Sequence, residues 1–417
     1  MSARLGTFVL CMLILLPACA PRDVGKTLAR SGRNVPLHVV VGETLRAIDP
    51  ETGALRFERN RAVATPDRTL VVASTPDGEG TRIDHLVGDT GSALSSYTIP
   101  GSFKPAAVAP RSGLVAAIAA VGVEGRWLAP AREQTDLVVA DTVRREHRLY
   151  RLPGNYVPEV FSFAQDRLFL VEYLAPDRYR VRQLDLASGA ITPVGARDKR
   201  VTAEEEMRGR SRSQVMAPDQ TRLYTLYVRE DKHLHLRDFR ENGGSGHPDR
   251  SSKAFVHVLS LTEGWAYCLD LPLPFGGGPV EALALAISPD GRSLYIADAA
   301  SGGRIATADT QSLRISQVRS IASAIAHEIG DSTILHAAAD GTLYLAVGRE
   351  LITLDSRIRV QNQHTLAEPP SAIEISTDNA RLFAVGPTRL TVFATRPTGM
   401  TADLPRDDGP MAPRTLP

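Results

Sequence analysis

The 417-residue chain is short of several things that would each have given it an easy reading. It has only three cysteines, Cys11, Cys19 and Cys268, which cannot build a disulfide framework. It lacks charge of one sign: 48 Lys and Arg against 47 Asp and Glu leave a formal net charge of +1, so no long-range field favours nucleic acid or an anionic surface. Its amino-terminal run, residues 5–16, nearly all apolar, is too short to span a bilayer. Two tryptophans, Trp127 and Trp265, leave little aromatic surface for carbohydrate stacking, and core packing is the default role for each. What is abundant is turn formers, 33 Gly and 28 Pro, beside an ordinary 43% of hydrophobic residues. That balance suits many short strands rather than long helices.

The amino terminus has the three parts of an export signal: a charged start at Arg4, the apolar run, and a small-residue site at Pro17-Ala18-Cys19. Leu16-Pro17-Ala18-Cys19 resembles the lipobox of bacterial lipoproteins, with Pro where a small or β-branched residue is commoner. The resemblance implies cleavage after residue 18, diacylation of Cys19 and a folded domain outside the cytoplasm, anchored to a bacterial membrane by lipid. The alternative is an ordinary secretory signal cleaved nearby, with Cys19 incidental. Either way Cys268 is the one remaining thiol, and Tyr267-Cys268-Leu269 offers no basic neighbour, so a buried inert thiol is expected.

Residues 19–37 are polar and aperiodic and read as a tether. Residues 396–417, rich in Pro, Thr, Asp and Arg, read as a disordered tail. Between them, over residues 38–395, one unit recurs: an alternating strand, a turn usually holding Asp, a strand marked by Leu-Tyr or a relative, and a third strand closing on Asp. The turns fall at Pro66-Asp67, Pro110-Arg111, Gln165-Asp166, Pro218-Asp219, Pro289-Asp290, Ala339-Asp340 and Thr377-Asp378. Their spacings of about 44, 55, 53, 71, 50 and 38 residues are centred where four-stranded propeller blades fall. In Pro289-Asp-Gly291, Pro presets φ, Asp bonds the following backbone and Gly supplies positive φ, which reverses the chain between antiparallel strands.

Ser288-Pro-Asp-Gly-Arg-Ser-Leu-Tyr-Ile-Ala-Asp298 and Ala47-Ile-Asp-Pro-Glu-Thr-Gly53 resemble the YVTN-type β-propeller repeat family, which includes surface-layer repeat proteins and lactonase-like propellers. The resemblance implies an all-β propeller of four-stranded antiparallel blades. Seven turns argue for seven blades. The amino-terminal strands His38–Val41, Thr44–Ile48 and Ala54–Phe57 leave strands over, so an eighth, incomplete blade stays open. Closing the ring would bring the two ends of the repeat region together.

The longest step contains a polar insertion, residues 229–253, with His233, His235, Asp238 and His247, followed by His257 on the next strand. Positions two apart on a strand face one side, so His233 and His235 could offer two imidazoles to one metal, with Asp238 or Asp249 completing the set. No Cys or Glu completes a zinc spacing, however, and Gly243-Gly-Ser-Gly246 suits a solvated or ligand-contact loop equally well. Whether the insertion binds metal is left open, and no cofactor is expected.

No Gly-x-Ser-x-Gly stands at a strand-to-helix turn. Phe275-Gly-Gly-Gly-Pro279 lacks the Gly-Lys-Ser/Thr of a phosphate loop, and Glu204-Glu-Glu206 with Arg208, Arg210 and Arg212 reads as an exposed charge run. These absences favour a non-enzymatic binding or scaffolding module, a monomer meeting a protein, peptidoglycan or glycan partner at the cell envelope, with no nucleic-acid role. The alternative is a lipid-anchored hydrolase of lactonase-like type, or an oxidoreductase, working in the central channel. Convergent carboxylates and histidines with perturbed pKa values at the axis would favour chemistry.

Overall fold

A computed structural model describes residues 36–41, 43–120, 131–175, 178–198, 206–208, 211–228, 253–321, 332–376, 379–395 and 398–405. The period-two patterning is realised throughout: the described residues are strands and turns, with one short 3₁₀ turn at Val280–Ala282 as the helical element. The strands form eight antiparallel sheets, met in chain order as eight blades. Blade 1 holds Leu37–Val41, Thr44–Ile48 and Leu55–Asn60. Blade 2 runs from Ala62 to Pro100, blade 3 from Phe103 to Pro153, blade 4 from Tyr156 to Pro193 and blade 5 from Ser211 to Asp270. Blade 6 runs from Leu283 to Ser320, blade 7 from Thr333 to Thr365 and blade 8 from Ala372 to Pro405. Blades 2 to 8 each run inner to outer in sequence order, and blade 1 supplies the second, third and outer positions from the described residues. Two edges are extended: Gly195–Ala196 lies parallel along Trp265–Asp270 at the rim of blade 5, and Met207–Arg208 pairs with the third strand of blade 4.

Eight is the larger of the two counts the repeat allowed. The amino-terminal strands form a blade of their own, and blade 8 has its own outer strand, Thr398–Pro405, paired to Arg389–Thr395. Those residues belong by composition to the tail. Pairing orders them all the same: Arg389 is ion-paired to Asp403 at 2.6 Å, and Ala402 and Leu404 pack on the core. An outer strand needs apolar residues on one face only, so its composition looks like that of a loop.

The core is not central but divided among the blade interfaces. Each of eight clusters of buried apolar residues joins two neighbouring blades, from Leu45, Ala47 and Phe57 against Val71, Ala73 and Leu86 between blades 1 and 2, around to blades 7 and 8. The ring closes where Leu37, Val39 and Ile48 of blade 1 meet Phe383, Val385, Leu390 and Val392 of blade 8. At roughly 25 cal/mol per Å² of apolar surface removed from water, such faces are what hold separate sheets together. The middle strands are buried on both faces: all seven residues of Ala254–Ser260 in blade 5 are buried.

The recurring aspartates are structural. Where the inner strand of blade 6 turns into the second, Asp290 Oδ1 accepts the Ser288 hydroxyl at 2.5 Å and the Arg292 amide at 3.0 Å. Where third strands turn into outer ones, Asp49, Asp141, Asp185, Asp309 and Asp355 each accept backbone amides two to four residues on. The Ser312 hydroxyl and then its amide hold Asp309 below the usual carboxylate range, and the Arg359 amide and guanidinium do the same for Asp355, because each favours the charged form.

Candidate functional site

Antiparallel order places the two kinds of connection on opposite ends of the ring. The Asp-capped turns, from inner to second and from third to outer strand, all lie on one face, here the turn face. The connections from second to third strand, and from each outer strand to the next blade, lie on the other, the loop face. On the turn face one hydrogen-bond scheme repeats from blade to blade. On the loop face the connections differ from blade to blade.

The insertion 229–253 joins the second and third strands of blade 5, which puts its roots on the loop face. His233, His235, Asp238 and His247 lie outside the described residues, as does Cys19. Of the five candidate loop residues, His257 alone is described. It sits mid-strand, opposite Thr225 and Cys268, is buried, and meets the Tyr227 ring edge-on at 6.3 Å. An alternating strand with a histidine in it resembles a site only if one face is open, and here both faces are covered. Cys268 is likewise buried and is not part of a disulfide. Trp265 is partly buried on the core between blades 5 and 6, with Arg197 and Arg222 over its ring at 5.0 and 5.6 Å.

Beside the roots of the insertion stands a platform that sequence reasoning missed. The segment from Leu271 to Val280 leads from blade 5 to blade 6 across the loop face, anchored at one end by the Leu271 amide to the Ala254 carbonyl at 3.0 Å. Its centre is tied down by Asp298, which is wholly buried at the end of the second strand of blade 6. Asp298 Oδ2 accepts the Gly276 amide at 2.8 Å, and Oδ1 accepts the Ser301 amide at 2.9 Å. The Ser301 hydroxyl lies 2.7 Å from Asp298 Oδ2 and 2.9 Å from the Pro274 carbonyl. Gly276 has φ +77°, and a Cβ there would stand 2.8 Å from the Lys253 carbonyl, so the segment rests directly on the root of the insertion. Phe275 fills the core beneath, while Leu273 at the crest keeps 45% of its surface exposed. The available signal was Phe275-Gly-Gly-Gly-Pro279 itself, which bends the backbone closely over its neighbours rather than around a phosphate.

A second constellation lies at the axis, towards the turn face. Arg68, in the first turn of blade 2, is ion-paired with Glu374 on the inner strand of blade 8. His38 of blade 1 and His336 on the inner strand of blade 7 share their electrostatic environment. Burial pushes the Glu374 carboxyl up, but the charge and hydrogen bond of Arg68, helped by the two histidines, outweigh it and hold it below its ordinary value. Burial, the larger effect, lowers both imidazoles and keeps them neutral. His38 Nε2 lies 2.7 Å from the Gly88 carbonyl and must donate to it, which leaves the buried Nδ1 as an acceptor with no partner. Among the described residues no group of three or more His, Cys, Asp or Glu could hold a metal ion.

No protein-family model matches the chain, and no curated protein does. Among solved structures it is similar to the dihydro-heme d1 dehydrogenase NirN in complex with DHE, with TM-score 0.52 and 13% identity over 94% of this chain and 76% of that one. It is similar also to apo AztD from Citrobacter koseri, with TM-score 0.50 and 9% identity over 91% and 96% of the two chains. Saccharomyces cerevisiae Sqt1 gives TM-score 0.50 and 9% identity over 91% and 90%. Identities this low carry the fold and nothing of the activity. The chain is an eight-bladed β-propeller.

Proposed function

We propose that the chain is an exported, lipid-anchored propeller of a bacterial cell envelope that acts as a binding module, holding a protein partner on its loop face. The observation that carries this reading is the rigid platform 271–280, which stands beside the roots of the insertion and lifts Leu273 into solvent on a frame fixed by buried Asp298. An exposed apolar residue on a preorganised backbone is what a protein interface anchors on, because little entropy is lost when the partner arrives. The insertion supplies the specificity, and acylated Cys19 holds the module at the membrane. The uniformity of the turn face supports the same division of labour: its polar groups are spent on the turns themselves.

Deleting residues 241–252 and bridging the gap with a short Gly-Ser link tests this reading. Recovery of the partner from native envelopes by crosslinking should fall while the melting temperature stays put. Unchanged recovery, or a matching loss of stability, counts against it, and a glycan or peptidoglycan recovered in place of protein replaces the partner class.

One observation favours a second reading, an enzyme working at the axis: His38 Nδ1 is a buried, unpartnered acceptor within electrostatic reach of the Glu374 carboxylate. Against it, the Glu374 carboxylate is committed to Arg68. Lactonase or esterase turnover that disappears in His38→Gln would favour the enzyme.

A further inference from the structure

Every other blade has an inner strand on the axis, and among the described residues blade 1 has none. Its second strand, Leu37–Val41, is paired on the outer side to Thr44–Ile48. Val41 and Thr44 close that hairpin as a hydrogen-bonded pair across two residues. Alternation then turns the amides and carbonyls of Leu37 and Val39 towards Thr44–Ile48, and those of His38 and Val40 towards the axis.

The sequence just upstream carries the signal that the other blades use at this place. In blades 2, 4, 5, 6 and 8, six residues separate the last paired positions of the inner and second strands, Ala64 and Val71 in blade 2 and Ile287 and Leu294 in blade 6 among them. In each, the amide of the first residue donates to the carbonyl of the sixth at 2.8–2.9 Å. In each, the fourth residue, Arg68, Gln165, Gln220, Gly291 or Asn379, has positive φ. Six residues counted back from Leu37 are Ser31-Gly-Arg-Asn-Val-Pro36. Ser31 stands first, as Ser162, Ser288 and Ser376 do, and Asn34 stands fourth, as Asn379 does. Asn is among the side chains that adopt positive φ most readily. Pro36 is sixth, where the backbone bond needs only its carbonyl.

We infer that the axial edge of Leu37–Val41 is a strand-docking surface and that its occupant is residues 26–30 of the same chain, Lys-Thr-Leu-Ala-Arg, with Arg30 opposite Leu37 and Leu28 opposite Val39. This segment lies outside the described residues. Val39 belongs to the core between blades 1 and 8, so the register sends Leu28 to that core. A six-residue link gives this segment a high effective concentration at the edge, whereas a foreign strand loses the entropy of association. Inner strands run from the loop face to the turn face, so the chain before Lys26 leaves on the loop face beside the axis. Cys19 precedes Lys26 by seven positions, a reach of at most about 25 Å. An acyl group on Cys19 would therefore hold the loop face and its platform against the membrane surface. That orientation rests on the lipid anchor proposed above; the strand pairing does not.

The test is disulfide formation between engineered cysteines in the full mature chain in detergent, read by mass spectrometry of the linked peptides. Leu28→Cys with Val39→Cys puts two thiols on one face at a non-hydrogen-bonded pair, where Cβ atoms stand closest. It should crosslink about tenfold more than Thr27→Cys with Val39→Cys, whose side chains point to opposite faces. Equal crosslinking of the two pairs, as an unpaired tether gives, overturns the inference. Hydrogen exchange in the unsubstituted chain covers the case in which these variants fail to fold. The amides of His38 and Val40 should be as protected as that of Val72, which faces the inner strand of blade 2, and Thr27→Pro should speed exchange at Val40 about tenfold. Exchange at the rate of exposed amides, or protection that Thr27→Pro leaves unchanged, overturns the inference and gives the edge to another strand.

Discussion

Arg68 and Glu374 are 306 positions apart in sequence and form an ion pair at the axis, joining blade 2 to blade 8 past blade 1. The apolar seam between blades 1 and 8 closes the ring around the body, and this pair closes it at the centre. Removing Glu374 leaves the Arg68 charge without its partner, so Glu374→Gln should cost about 1–3 kcal/mol. That is less than a fully buried pair would lose, because the Arg68 side chain keeps 37% of its surface exposed and solvent screens it. In urea unfolding, the Arg68→Gln, Glu374→Gln double variant should recover part of the loss. Strictly additive costs would show that the two groups do not act as a pair.

Acid should loosen the contact between blades 2 and 3. His85, on the third strand of blade 2, is buried with Nδ1 2.5 Å from the Thr142 hydroxyl, and burial, partly offset by Asp141, lowers its pKa to about 4. The folded state therefore binds this proton less readily than the unfolded chain. Its share of stability is whole above the unfolded value near 6.5 and declines as pH falls towards 4, by about 1.4 kcal/mol at roughly pH 5.5. His38 and His336 are shifted the same way and should add to the decline. Melting curves from neutral to mildly acid pH should fall less steeply in His85→Gln than in the parent. Identical slopes would contradict the assignment.

Asp298→Ala should remove the acceptor that holds Gly276 and Ser301. A loss of about 1–3 kcal/mol is expected, since the amides left behind are shielded from water. Hydrogen exchange should speed up at Gly276 and Ser301 before it does in the turn around Asp290. Uniform acceleration across the ring would mean that Asp298 stabilises the blade at large and not the platform.

Cys19→Ala should move the chain from the membrane to the soluble fraction, because the proposed anchor is the acyl group carried by that thiol. Equal membrane retention in fractionated cells would overturn the lipobox reading.

The blades were legible because two local signals coincide in them: alternation of period two, and Asp at positions where its carboxylate caps a turn, as in Asp290 and Asp309. The eighth blade was harder to see. Blade 1 has no Pro-Asp marker ahead of Leu37, and the outer strand Thr398–Pro405 carries few apolar residues, since one face of an outer strand meets water. The burial of His257 was equally hard to read, because alternation does not show that a strand is covered on both faces. Arg68 and Glu374 gave no signal at all, because only ring closure brings them together. The platform was written in its glycines, but those read as backbone freedom until Asp298 shows what the close approach serves.

The most direct test of the binding account is site-specific photo-crosslinking in living cells, with p-benzoylphenylalanine replacing Leu273 at the crest of the platform or Arg292 in an exposed turn on the opposite face. The account predicts a discrete protein adduct from position 273, lost when residues 241–252 are deleted, and none from position 292. Adducts from 292 alone, or equally from both positions, would contradict it.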